Sequence, residues 1–146
     1  MTVRHNNLSI EDIQERITRS KFHQMYDPRV LEVDNDAMMI KLRVSMRPEF
    51  ERQPGTGQWH GGIIASLVDI AGVYALLLVA RGPILTLNFS TDFLRLGVSE
   101  QLYATATVLR AGRTVGFVDV SIVDDNGAVI ATGRACYAIR PDKSQT

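Results

Sequence analysis

The chain has 146 residues, 45% of them hydrophobic, which suits one domain with a real core and leaves little room for a second. Sixteen basic and sixteen acidic side chains cancel, so there is no charge footprint for nucleic acid or an anionic membrane surface. A single cysteine, Cys136, excludes an intramolecular disulfide, a CxxC redox pair and a cysteine-rich metal site, and fits a reducing, cytoplasmic setting.

The first twenty residues alternate charges without an apolar stretch, unlike a secretory signal. Ser9 followed by Asp12, with Ile10, Ile13 and Ile17 at helical spacing, predicts a capped amphipathic helix of about three turns. Phe22, Met25 and Tyr26 continue its apolar face toward Pro28, so residues 1–27 read as an N-terminal helical segment. A short strand from Arg29 to Val33 leads into an Asp34-Asn35-Asp36 turn. From Met38 to Met46 apolar and polar residues alternate strictly, the pattern of a half-buried antiparallel strand. Arg47 to Gln58, with Pro48, Pro54, Gly55 and Gly57 and no periodicity, reads as a loop.

From Gly61 to Ala80 the only side chain charged at neutral pH is Asp69, set among Ile63, Ile64, Leu67, Val68, Ile70, Val73 and Leu76. A helix apolar on nearly every side is a buried one. Its Asp69, and Gly61, Gly62 and Gly72 at its start and interior, argue against a membrane span. Arg81-Gly82-Pro83 stops it. Three alternating stretches follow, around Leu87 to Phe93, Leu102 to Val108 and Phe117 to Ile122. Asp125-Asn126-Gly127 predicts a hairpin into a last strand from Ala128 to Ile139, apolar on both faces in places. The tail 141–146 is polar. The expected architecture is one α+β domain over residues 1–146, a long buried helix with a short N-terminal helix and an antiparallel sheet of five or six strands.

The central helix carries the chemistry. An isolated carboxylate in an apolar helix needs a partner, a raised pKa or a reaction to serve. At the other end, two glycines leave free N–H groups in the first turn, open to an anion or a developing oxyanion. Eight residues separate Gly61 from Asp69, roughly 12 Å along a helix, too far for one side chain to span. If both act on one carbonyl, Asp69 comes from an antiparallel second copy, so the expected assembly is a homodimer or higher homo-oligomer. A plainer reading makes Asp69 a structural acceptor for the backbone or Tyr74, and His60 a helix cap. No GxSxG nucleophile elbow, metal-ligand spacing among the three histidines or phosphate-binding glycine motif is present, so no metal and no nucleotide cofactor is expected.

The string Trp59-His60-Gly61-Gly62, then Asp69, Thr86-Leu87-Asn88-Phe89 and Asp92-Phe93-Leu94-Arg95, resembles the PaaI-type (phenylacetate-degradation) branch of the hotdog-fold acyl-CoA thioesterases. Gly112-Arg113-Thr114 leading into Phe117-Val118-Asp119-Val120, and the hairpin at Gly127, extend the likeness over roughly residues 28 to 140. The resemblance implies a hotdog fold and hydrolysis of acyl-CoA, the CoA thioester being substrate. It also implies that the Gly61 N–H polarises the thioester carbonyl beside His60 and Gly62. Asp69 of the partner subunit is then nucleophile or general base, with Thr86 near it. Where the family commonly has Asn or Gln six residues before the histidine, this chain has Pro54, with Gln53 and Gln58 as the nearest substitutes. Arg95, Arg110 and Arg113 are candidates for the phosphates of CoA. The alternative function is a non-catalytic acyl-CoA-binding hotdog module, a sensor or carrier.

Overall fold

The computed structural model describes residues 5–141; the expected tail beyond Pro141 lies outside them. The Ser9 hydroxyl accepts the Asp12 N–H and the Asp12 carboxylate accepts the Ser9 N–H, a reciprocal box that opens α1 (Ile10–Arg19). Ile13 and Ile17 are buried beneath it. Ser20 both ends α1 and caps a separate short helix, α2 (Lys21–Tyr26), so the apolar face expected to continue through residue 26 is broken. Tyr26 goes into the core, while Phe22 and Met25 stay exposed.

Strand β1 (Arg29–Asp34) pairs antiparallel with β2 (Met39–Ser45). Met38 has φ +54° in the turn, so β2 starts one residue later than the alternation implies; Ile40, Leu42 and Val44 form its buried face. The loop after it holds one 3-10 turn, Pro48–Phe50, that buries Phe50. Then comes α3 (Gly61–Leu77), three residues shorter than the apolar run, because Leu78, Val79 and Ala80 leave the helix while remaining buried. Strands β3 (Ile84–Phe93), β4 (Gln101–Ala111), β5 (Val115–Val123) and β6 (Val129–Ile139) complete the chain. Asp124 Oδ1 accepts the Asn126 and Ala128 N–H groups, and Gly127 takes φ +77° in the turn between β5 and β6.

All six strands form one antiparallel sheet in the order β1-β2-β4-β5-β6-β3, with α3 packed across one face and touching β2 through β6. This is the hotdog arrangement. A helix with so little polar surface has one stable place, inside the curve of a sheet whose alternate residues are apolar. The approach is close: a Cβ on Gly72 would sit 2.2 Å from the Tyr137 hydroxyl, and one on Gly116 would sit 2.5 Å from Leu76. That closeness lets the buried Tyr137 O–H donate to the Asp69 carbonyl oxygen at 2.9 Å.

Gly72→Ala therefore has to displace the Tyr137 ring and break this hydrogen bond. Overpacking of this kind costs about 1–3 kcal/mol. Thermal unfolding should show a Tm lowered by several degrees; an unchanged Tm would mean that the helix does not lie this close to β6.

Candidate active site

His60 caps α3: its Nδ1 accepts the Gly62 N–H at 2.9 Å, and its carbonyl accepts the N–H groups of Ile63 and Ile64. Three of the four N–H groups of the first turn are thereby satisfied. The fourth, on Gly61, has no acceptor among the described residues. Gly62, expected to share in substrate binding, has its N–H occupied by His60, and its side-chain position faces the His60 ring, 3.1 Å away. The imidazole of His60 is thus a cap whose Nδ1 is committed as an acceptor, which puts the proton of the neutral ring on Nε2.

Among the described residues nothing requires glycine at position 61. A Cβ there would meet only the Phe93 ring at 3.5 Å, an ordinary contact, and the backbone angle is not one reserved for glycine.

Asp69 lies two turns further along α3. It is half-buried, where an apolar helix predicts a buried position, and its Oδ1 accepts the hydroxyl of Thr86, the neighbour that the family resemblance implies, at 2.9 Å. Oδ2 has no donor among the described residues. Tyr74, considered as a partner for Asp69, instead meets His23: Tyr74 Oη and His23 Nδ1 are 2.7 Å apart.

Thr86 reaches Asp69 because β3 is bulged. Thr86 pairs with Tyr137 and Asn88 with Cys136, leaving Leu87 as the extra residue. Across this bulge Thr86, Phe89, Thr91 and Phe93, opposite Tyr137, Ala135, Gly133 and Ala131, come to the same face of β3, the one toward α3. Strict alternation in the sequence puts Thr86 on the face opposite Phe89 and Phe93. The bulge is the feature that sequence reading missed, and no glycine or proline announces it.

The remaining candidates are scattered. Gln53 is exposed in the turn before Pro54, its carbonyl accepting the Thr56 N–H and hydroxyl. Gln58 holds Arg52 through its side-chain oxygen at 3.0 Å. Arg95 follows the end of β3, near the start of β6. Arg110 and Arg113 stand at the β4–β5 turn, which the antiparallel register puts at the opposite end of the sheet. The three arginines do not converge within one chain, because β5 and β6 separate the two ends by their whole length. Two surface grooves, one beside Met46, Gly57 and Val98 and one on the outer sheet face beside Asp119, Thr132 and Arg134, contain none of the predicted site residues. Among the described residues no group of three His, Cys, Asp or Glu is placed to hold a metal ion, and no helix is long and apolar enough to cross a membrane.

The chain thus carries a free N–H at one end of α3, beside Phe93, and an oriented carboxylate two turns away, beside Thr86. The family model described as "Thioesterase superfamily" matches residues 56–131, which include both. The chain belongs to the thioesterase superfamily. A putative esterase of Halobacterium salinarum is 33% identical over 114 residues, covering 70% of this chain and 75% of that protein. Acyl-coenzyme A thioesterase 13 of Homo sapiens is 34% identical over 99 residues, covering 64% and 69% of the two chains. The structure of the Escherichia coli PaaI protein from the phenylacetic acid degradation operon superposes with a TM-score of 0.74 at 21% identity, covering 90% of this chain and 96% of that one, a likeness of fold. In this thioesterase-superfamily chain the matched span leaves out α1 and α2 altogether.

The cap reading of His60 has a direct test. His60→Ala removes the acceptor for the Gly62 N–H and should cost about 1 kcal/mol in urea unfolding, whereas His60→Asn, itself a good cap, should restore nearly all of it. Equal stability of the two variants would show that the capping bond contributes nothing.

Proposed function

We propose that this protein hydrolyses acyl-CoA thioesters at a site shared by two copies of the chain. The observation that carries the reading is the pair of half-sites on α3. Gly61 offers the one uncommitted N–H of the helix start, in a position kept free of side chain. Asp69 offers an oriented carboxylate with Oδ2 uncommitted. Their separation of about 12 Å prevents them from meeting on one carbonyl within a single chain.

The edge of the sheet supplies the second copy. Among the described residues β3 is hydrogen-bonded only on its β6 side, and Leu85, Leu87, Phe89 and Phe93 are exposed by 46%, 56%, 38% and 53%. An apolar, unprotected edge strand invites pairing with another strand. Antiparallel pairing of two β3 edges centred between Phe89 and Ser90 sets Thr86 of one copy opposite Phe93 of the partner subunit, because residues equidistant from a two-fold axis face each other. Thr86 sits beside Asp69 and Phe93 beside Gly61, so the same operation brings Asp69 toward Gly61 of the partner subunit.

In such a site the thioester carbonyl oxygen accepts the Gly61 N–H, and the negative charge that develops on it is stabilised by that donor and by the helix N-terminus. Asp69 from the other copy acts at the carbonyl carbon. As nucleophile, its Oδ2 adds to the carbon, the C–S bond breaks, CoA leaves as thiolate, and water then hydrolyses the mixed anhydride to the carboxylic acid. As base, it takes a proton from the water that adds. Thr86 holds Oδ1 in either case, leaving Oδ2 for the reaction. An acyl-CoA esterified through a thiol needs no metal for this sequence of steps, and CoA departs as product.

A panel of acyl-CoAs with detection of the released thiol tests the activity. Asp69→Asn should lower kcat by at least about 100-fold, the scale of losing a general base, and Thr86→Val should lower it less than Asp69→Asn does. Hybrids of Asp69→Asn with an inactive Gly61→Val chain should regain one intact site in two. Verified hybrids without recovery would overturn the shared site, wild-type turnover by Asp69→Asn would remove Asp69 from the chemistry, and a wild type that binds acyl-CoA but releases no thiol from any member of the panel would leave binding without hydrolysis as the role of the fold.

A further inference from the structure

Helices α1 and α2 precede the residues 56–131 that the family model matches, and they grip α3 and its approach at two places. The first is an aromatic run. Phe22 packs on Tyr26 with ring centroids 5.4 Å apart, Tyr26 stacks on Phe50 at 5.4 Å, and Phe50 stacks on Trp59 at 6.1 Å. The Phe50 carbonyl accepts the His60 N–H at 2.9 Å, so this run ends on the residue that caps α3 and precedes Gly61.

The second grip is polar. His23 on α2 stands edge-on to the Tyr74 ring, centroids 5.3 Å apart, with Nδ1 2.7 Å from the hydroxyl. Tyr74 is 6% exposed and lies five residues after Asp69 on the same helix. Burial pushes its phenol up to about 12, so it remains a donor and Nδ1 of a neutral His23 is the acceptor. His23 Nε2 has no protein partner among the described residues.

We propose that His23 is a positioning residue for the chemistry at Asp69: by accepting the Tyr74 hydroxyl it fastens the N-terminal helix pair to α3 about one and a half turns beyond the carboxylate and holds that part of α3 in its working place. The inference rests on the reading of Asp69 as the reacting group. It makes the fastening conditional on a neutral imidazole, because a protonated Nδ1 cannot accept. The groups that act on the pair come from each neighbouring element. On α3, the Asp69 carboxylate favours the imidazolium; on α1, Arg16 favours the phenolate of Tyr74. After β2, Arg47 donates to the Met25 carbonyl at 2.9 Å, adding positive charge against α2. Burial is the largest influence on His23 and lowers its pKa below the ordinary 6.5, with Asp69 opposing. A base whose folded value lies below its unfolded one contributes stability that is complete above about 6.5 and is lost as pH falls through the folded value.

Two measurements test this. The first follows the His23 Cε1–H by NMR against pH in the wild type, Asp69→Asn and Tyr74→Phe. The wild-type midpoint should lie below 6.5. Asp69→Asn should lower it further, since the anion that favours the imidazolium is gone, and Tyr74→Phe should raise it, since the donor to the neutral ring is gone. A midpoint unmoved by both substitutions overturns the proposal, whether or not the protein hydrolyses anything. The second compares acyl-CoA turnover in His23→Ala and His23→Gln. His23→Ala should lose about tenfold in kcat with little change in KM, the order expected from slight misplacement of a reacting group. His23→Gln, which still offers the Tyr74 hydroxyl an acceptor and does not titrate, should recover most of that loss and extend activity to lower pH than the wild type. Full activity in His23→Ala, or an acid limb in His23→Gln identical to the wild type's, overturns it. Absence of turnover in the wild type counts against the hydrolysis reading, and the NMR arm still decides the coupling of His23 to Asp69.

Discussion

The structure depends on burying one helix that has almost no polar surface. Much about α3 follows from lying inside the curve of the sheet: glycine at 72 and 116, where Tyr137 and Leu76 occupy the space a Cβ would need, and Tyr137 spending its hydroxyl on the Asp69 carbonyl. A helix clamped this tightly works as a ruler. Its rise fixes how far the free N–H at Gly61 lies from the carboxylate at Asp69, and neither end can slide relative to the strands beneath. The separation of these two groups is a property of the core, set before any ligand arrives.

That rigidity has a consequence at the sheet edge. The inner face of β3 runs antiparallel to α3, from Thr86 beside Asp69 to Phe93 beside Gly61. Its own helix covers only part of it, which is why Phe89 and Phe93, though turned toward the helix side, are exposed by 38% and 53%. A free strand edge with apolar residues on its inner face is costly for a chain that stays alone, because water must wet both the ring surfaces and the unpaired backbone groups. In the proposed dimer the same residues would lie where a two-fold partner joins the half-sites. Stability and catalysis would then favour the same assembly.

Much of this is legible in the sequence, and what escapes has physical causes. The apolar run broken by one carboxylate, the glycines at its start and the proline after it specify α3 because helix burial and termination are local. The strands after it follow from alternation, and the hairpin from Asp125-Asn126-Gly127. Thr86 as a neighbour of Asp69 follows from the family resemblance and not from alternation, since the bulge at Leu87 exchanges the faces of β3 without a sequence signal. The partial exposure of Asp69 escapes because hydropathy reports the helix average and not the gap left at one sheet edge. Arg95, Arg110 and Arg113 look equivalent in sequence, being basic residues at strand ends, but only strand order says that they occupy opposite ends of the sheet. His23 is isolated in sequence; its partner is 51 residues away, a distance over which no periodicity carries information.

The break between α1 and α2 links these points. A continuous helix through residues 10–26 would project its apolar face in one direction, whereas Ser20 ends one helix and caps the next, turning the chain. Residues three apart lie on one side of a helix, so His23 and Tyr26 project together: His23 meets Tyr74 and Tyr26 meets Phe50. The two contacts lead to different ends of α3, one to the turns after Asp69 and one, through Phe50 and Trp59, to the His60 cap. A segment that only filled surface would need one of them. With both, a displacement of α2 is felt at the free N–H and at the carboxylate together, the two groups that act on one carbonyl in the proposed mechanism.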